Sequence, residues 1–171
     1  NDKLVNMAGK YANDFSNDLN RIDRKVAAIK SYVKSTINTE KIDEQAYMNS
    51  YKSNLNPTIR EITSSTEGIL GAYIFFNPEN VAGAHDIYYT KDQEGNLTRQ
   101  AELKAASYSE SDSAMNWFYA PYKQGESIWT DPFLYEAGNF SANMVSHTSA
   151  IVIDGKFIAT VGIDLTFDNI K

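Results

Sequence analysis

Residues 113–133 read SAMNWFYAPYKQGESIWTDPF, and both tryptophans of the chain, Trp117 and Trp129, lie within them. Phe118, Tyr119, Tyr122 and Phe133 are interleaved with the tryptophans. Ala120, Pro121, Gly125, Ser127 and Pro132 are breakers or small residues, and their density predicts a folded loop rather than a long helix. Rings gathered on an irregular segment suit the rim of a pocket, because they bury much area at low entropic cost. The plainer reading is that they form the core of a modest domain.

On either side of this stretch the pattern is that of strands. Downstream, Gly138-Asn139 marks a turn, and residues 144–153 and 157–165 read as two strands. Asp154-Gly155 between them is a strong hairpin signal. Upstream, the dense apolar run Leu70, Tyr73, Ile74, Phe75 and Phe76 closes at Asn77-Pro78. Residues 86–90 form a second strand, and Glu94-Gly95-Asn96 turns it into a third over 97–100. Residues 101–116 are polar and rich in Ala and Ser, which predicts a short helix and a loop.

The first part of the chain has a different texture. Leu4, Met7, Tyr11, Phe15, Leu19, Ile22, Val26, Ile29, Val33 and Ile37 recur at steps of three or four, so residues 1–38 read as one long stalk helix. Leu4, Phe15, Val26 and Ile37 fall eleven apart, a period that keeps the stripe on one face of a nearly straight rod. At 1.5 Å per residue that rod is about 50 Å long. Such a helix can pack along its C-terminal half and project at its start. A left-over stripe would offer a surface for a homodimer. Residues 39–68 form a second helical segment, capped at Thr39 or Asp43 and restarted at Asn56-Pro57. Helices first and then about five strands is an α+β layout, with a central antiparallel sheet flanked by helices.

Composition narrows the function. The chain has 171 residues, a net charge of −6 and no basic cluster, which argues against a nucleic-acid partner and against lying on an anionic membrane. No apolar run approaches the roughly 20 residues that span a bilayer. Asn1 in place of an initiator Met reads as a processed end or the edge of a longer chain. Cysteine is absent, which removes disulfides, thiolate catalysis and most zinc sites. His85 and His147 are far apart, and no phosphate loop, EF-hand or nucleophile elbow occurs. No cofactor or metal is expected. Asp131 and Glu136 could be imagined as an acid–base pair, but nothing activates a nucleophile, so an enzyme is not the reading.

Four segments in order, AYIFFNPE (72–79), IYYTKDQEGNLTRQ (87–100), WFYAPYKQGESIWTDPF (117–133) and DGKFIATVGIDL (154–165), resemble the Cache family of PAS-like sensor modules, also called PDC domains. The resemblance implies that residues 69–171 form a sensor module outside the membrane, in a bacterial or archaeal histidine kinase or chemoreceptor. It also implies a long helix rising from a transmembrane segment that flanks this chain. Residues 166–171 fall where the first module of a double receptor gives way to the next. The chain is then a membrane-distal module with its stalk, or a single-module sensor.

The resemblance also points to a pocket. Amino-acid-binding members carry an Arg or Lys where this chain has Met115, a Tyr at Phe133 and an Asp at Tyr135, whereas the late aspartate is kept as Asp164. A free carboxylate ligand would lack its bidentate cationic partner here. Rings beside one carboxylate suit an organic cation, through cation–π attraction and charge balance. The candidate ligand-binding residues are Trp117, Phe118, Tyr119, Trp129, Phe133, Tyr135, Ser146 and Asp164. Ser146 is placed on the strand facing that of Asp164, and His147 on that strand's other face. Trp129 has an alternative role covering an Asp131-Pro132 turn. The expected ligand is a small polar molecule, an amine or quaternary ammonium compound. An amino-acid or carboxylate sensor and a dimerisation module with a vestigial pocket are the alternatives.

Overall fold

The computed structural model describes residues 2–83 and 85–166, apart from the side chains of Tyr11 and Phe15. The part of the expected stripe at Tyr11 and Phe15, and the expected module boundary beyond Thr166, lie outside the described residues. Helix α1 runs over Asp2–Thr36. Its stripe is split in two. Ile22, Val26, Ile29 and Val33 are buried against the sheet, whereas Leu4 is 70% exposed and Val5 67%. The rod thus packs by its C-terminal half, as the apolar period allows.

Helix α2 spans Gln45–Ser65 and buries Met48, Tyr51, Leu55, Ile59 and Thr63, a face repeating every three or four residues. Glu44, not Thr39 or Asp43, is its N-cap residue, and the helix runs on through Pro57 rather than restarting there. A proline inside a helix frees the carbonyl four residues earlier. Here that residue is Ser53, which is exposed, so water can satisfy the freed group. Asn56 turns its side chain sideways to Tyr89 Oη and Arg99 instead of capping.

The strands are β1 (Gly71–Phe76), β2 (Asp86–Lys91), β3 (Leu97–Arg99), β4 (Ile128–Trp129), β5 (Phe133–Ala137), β6 (Phe140–Ile153) and β7 (Lys156–Thr166). They form one antiparallel sheet in the order β3-β2-β1-β7-β6-β4, with β5 also pairing β6. Seven strands replace the expected five, because β4 and β5 form in a segment expected to be loop. Asp154 and Gly155 both take positive φ, 50° and 78°, which makes the expected tight turn between β6 and β7.

Both faces of the sheet are covered, and for this reason all six residues of β1 are buried. Ala72, Ile74 and Phe76 join the core under α1 and α2, while Tyr73 and Phe75 point into a second, ring-rich core. That second core is closed by helix α3 (Asn116–Gln124), so the Trp117 segment is helical and not the expected loop. Pro121 explains how. It has no N–H for the Trp117 carbonyl, and Thr148 Oγ1 on β6 donates to that oxygen at 3.3 Å. Thr160 Oγ1 on β7 donates to the Phe118 carbonyl at 2.8 Å. The breaker does not prevent the helix; it leaves a carbonyl that fastens α3 to the sheet.

Candidate ligand-binding site

Register decides what meets beneath α3. Gly71 of β1 pairs with Asp164 of β7, and Tyr73 with Gly162. Tyr73 also pairs with Tyr88 of β2, and Ser146 of β6 pairs with Asp164. These side chains share one face of the sheet, two residues apart along each strand. A Cβ at Gly162 would overlap the Tyr73 phenol, so glycine there lets the ring lie across β7.

The floor so formed consists of Tyr73, Phe75, Tyr88, Met144 and Asp164. Trp117 from α3 and Phe133 and Tyr135 from β5 cover it, leaving a chamber of about 10 Å³. The rings meet edge to face: Trp117 stands 4.9 Å from Phe75 and 5.4 Å from Tyr73, and Tyr135 stands 5.5 Å from Tyr88. That arrangement sets positive ring edges against negative faces.

Asp164 is 1% exposed. Tyr88 Oη donates to its Oδ2 at 2.5 Å, and among the described residues Oδ1 has no partner. Tyr73 Oη and Ser146 Oγ are hydrogen-bonded at 2.6 Å beside it. Burial pushes the Asp164 carboxyl up to about 7, against the opposing pull of the Tyr88 and Ser146 hydroxyls. Ser146 exerts that pull without a well-formed hydrogen bond to Oδ1. Among the described residues, two more polar atoms of side chains that line the chamber are buried without partners, Trp117 Nε1 and Tyr135 Oη. Leaving such atoms unpaired costs about 1–3 kcal/mol each.

Among the described residues no cationic side chain lines the chamber. Arg99 is occupied by Asn56 and the Asp86 carbonyl, both at 2.6 Å, and Lys123 by Glu110 at 3.1 Å. Met115 lines a separate outer cleft of about 250 Å³, which shares Trp117 and Tyr135 with the chamber. Asp86 is the second buried carboxylate on this face. It accepts from Leu103 N at 2.8 Å, and burial raises it to about 6.

Of the residues singled out in the sequence, Trp117, Phe133, Tyr135 and Asp164 come together, with Ser146 one hydrogen bond away. Phe118 and Tyr119 do not line the chamber: they pack with Phe157 of β7, at 5.0 and 6.2 Å. Trp129 is on the opposite face, 36% exposed and 4.7 Å from the His147 ring. His147 Nε2 bonds Asp23 of α1 at 2.8 Å, so it does face away from the chamber. Tyr73, Phe75, Tyr88 and Met144 were not singled out. The alternation Tyr73-x-Phe75 was the signal for two of them, masked by the continuous apolar run of a strand buried on both faces.

With this geometry in view, comparison with known proteins is specific. The model of methyl-accepting chemotaxis protein-like first PDC sensor domains matches residues 55–171. The chemotaxis protein TlpQ of Pseudomonas aeruginosa is 22% identical over 152 residues, covering 75% of this chain and 21% of that protein. The extracellular domain assigned to histidine kinase mmHK1S-Z3 superposes with a TM-score of 0.72 at 20% identity, over 98% of this chain and 59% of that one. The sensory domain of Campylobacter jejuni chemoreceptor Tlp3, solved with isoleucine bound, gives 0.58 at 14% identity, over 98% and 58%. The two solved neighbours are an extracellular and a sensory domain, and the present chain spans about a fifth of TlpQ and under two thirds of either of them. Among the described residues no helix is long and apolar enough to cross a membrane. The chain belongs to the family of methyl-accepting chemotaxis protein-like PDC sensor domains, an α+β sensor fold of chemoreceptors and histidine kinases.

Proposed function

We propose that this sensor domain works outside the cytoplasm and captures a small ammonium compound in the chamber beneath α3, with Asp164 as counter-ion. The observation that carries this reading is the bare Oδ1 of Asp164, buried among rings with no cationic side chain on the wall. A bound ammonium would pair with that oxygen and face the rings of Trp117, Phe133 and Tyr135. Each well-placed ring adds about 0.5–2 kcal/mol of cation–π attraction. Ser146 and Tyr88 hold the carboxylate's surroundings, and no catalytic step is involved. A displacement of β6 would reach α1 through His147 and Asp23, and α1 would carry it towards the membrane of a longer receptor. The exposed Leu4, Val5 and Met7 on α1 favour a homodimer through the stalk. Sedimentation at several concentrations tests that part; a monomer throughout would refute it.

One observation favours a second reading. Trp117 Nε1 and Tyr135 Oη are unpaired neutral donors, so an amino acid could give its ammonium to Asp164 and its carboxylate to them. Tlp3, a relative of the same fold, has been solved with isoleucine. Calorimetric titration separates the readings. Phenethylamine, phenylalanine and phenylpropionate are compared on the wild type and on Asp164→Asn. The ammonium reading expects the amine to bind best and to lose most of its affinity in Asp164→Asn, since charge-assisted contacts are worth about 1.5–3 kcal/mol. Phenylpropionate binding undiminished in Asp164→Asn would overturn it.

A further inference from the structure

The chamber's volume of about 10 Å³ is room for at most one water. Any organic guest that reaches Asp164 must therefore displace a side chain, and the surroundings show which one is free to go. Tyr73 and Tyr88 stand on central strands, each held by a hydrogen bond at 2.6 or 2.5 Å. Trp117 is wedged between Tyr73 and Phe75, on a helix that Thr148 and Thr160 tie to the sheet. Phe133 covers the chamber but does not border the outer cleft.

Tyr135 differs from all of these. Its hydroxyl has no partner although the residue is only 7% exposed. Its strand, β5, pairs with β6 alone. Tyr135 also lines the open outer cleft of about 250 Å³. We infer that Tyr135 is the movable wall of the site: its ring swings aside when a ligand enters, and the chamber and the outer cleft become one cavity. The ligand then places its head at Asp164 and its body along Trp117, against Leu103, Met115 and Leu134 of the outer cleft. This selects a compound with an extended, partly apolar body over a compact ion. The ammonium nature of the head rests on the function proposed above; the moving wall does not.

The two parts are tested separately. Trp129 lies outside the site, so Trp129→Phe leaves Trp117 as the sole tryptophan reporter. In that background, acrylamide quenching of Trp117 is compared for the parent, Tyr135→Ala, Tyr135→Val and Phe133→Ala, with circular dichroism confirming the fold. Opening of the wall should raise the quenching constant about threefold or more in a folded Tyr135 variant, and by more than in Phe133→Ala. Trp117 as shielded in both Tyr135 variants as in the parent overturns the proposal, and so does opening by Phe133→Ala alone. Phenethylammonium and tetramethylammonium are then titrated against the same fluorescence. Phenethylammonium should bind more tightly, and should associate about tenfold faster with Tyr135→Ala than with the parent. Equal binding of the two cations overturns the extended-body assignment. Unshielding of Trp117 with no binding of either cation refutes the ammonium reading and leaves the wall standing.

Discussion

Tyr88 Oη donates to Asp164 Oδ2 at 2.5 Å, while the other oxygen of the same carboxylate is left bare. Tyr88→Phe removes that single donor and strands both oxygens. At pH 8, where Asp164 is mostly ionised, the variant should lose about 1–3 kcal/mol of stability, read from denaturant midpoints. At pH 5 the protonated carboxyl needs the donor less, and the loss should shrink. Equal losses at both pH values would show that the phenol matters for packing alone.

The raised carboxyl of Asp164 has a defined sign in stability. Its folded value of about 7 lies above the ordinary carboxylate value, so the folded chain holds a proton that the unfolded chain has released. This contribution is fully present at low pH and is lost as pH rises through about 7. Asp86, raised to about 6, acts with the same sign over a lower window, and His85, lowered by burial, acts oppositely. The difference between wild type and Asp164→Asn isolates the Asp164 part. Melting temperatures of the wild type should fall relative to Asp164→Asn between pH 5 and pH 8. Parallel curves would place the carboxyl in water. Binding of an ammonium compound needs the ionised form, so its affinity should weaken as pH falls below about 7.

Gly162 has no space for a side chain, because a Cβ would overlap the Tyr73 phenol and approach the His147 carbonyl to 2.8 Å. Gly162→Ala must push Tyr73 off β7 and break its bond to Ser146. The expected loss is about 1–3 kcal/mol in thermal or denaturant unfolding. Tyr73→Phe in the same background should recover little, since the ring and not only the hydroxyl is displaced. A wild-type midpoint for Gly162→Ala would contradict this packing.

The carbonyl that Pro121 leaves free predicts a double-mutant cycle. Thr148→Val removes its donor and should cost about 1–3 kcal/mol. In Pro121→Ala the helix supplies its own N–H to the Trp117 carbonyl, so Thr148→Val should cost measurably less there. Additive losses would mean that Thr148 does not hold α3.

These residues also show what could be read from the sequence. The apolar period of α1 and the Asp154-Gly155 turn are local signals, and each alone specifies its element. That turn sets the strand of Ser146 beside the strand of Asp164, but taken alone it would pair Ser146 with Ile163; the register shift between Ile151 and Val152 is what brings Ser146 opposite Asp164. Strand β5 was hidden because Phe133–Ala137 is short, with Leu134 and Glu136 exposed and only Tyr135 fully covered. The helicity of α3 was hidden for another reason. Pro121 and Gly125 read as breakers, and only the distant hydroxyl of Thr148 makes the proline acceptable. Tyr88, which donates to Asp164, could not be found without the β1–β2 register.

Strand β6 carries two interleaved messages. Met144 and Val152 belong to the ring-rich core, with Ser146 bonded to Tyr73 on that side, whereas Val145, Ile151 and Ile153 belong to the core under the helices, with His147 reaching Asp23. A substitution at one parity alters the lining of the chamber; a substitution at the other alters the seat of α1. The two can drift independently within fourteen consecutive residues, so the chamber can be relined without rebuilding the helix seat. What the two parities share is the backbone, and any shift along the strand's own axis must be felt by both.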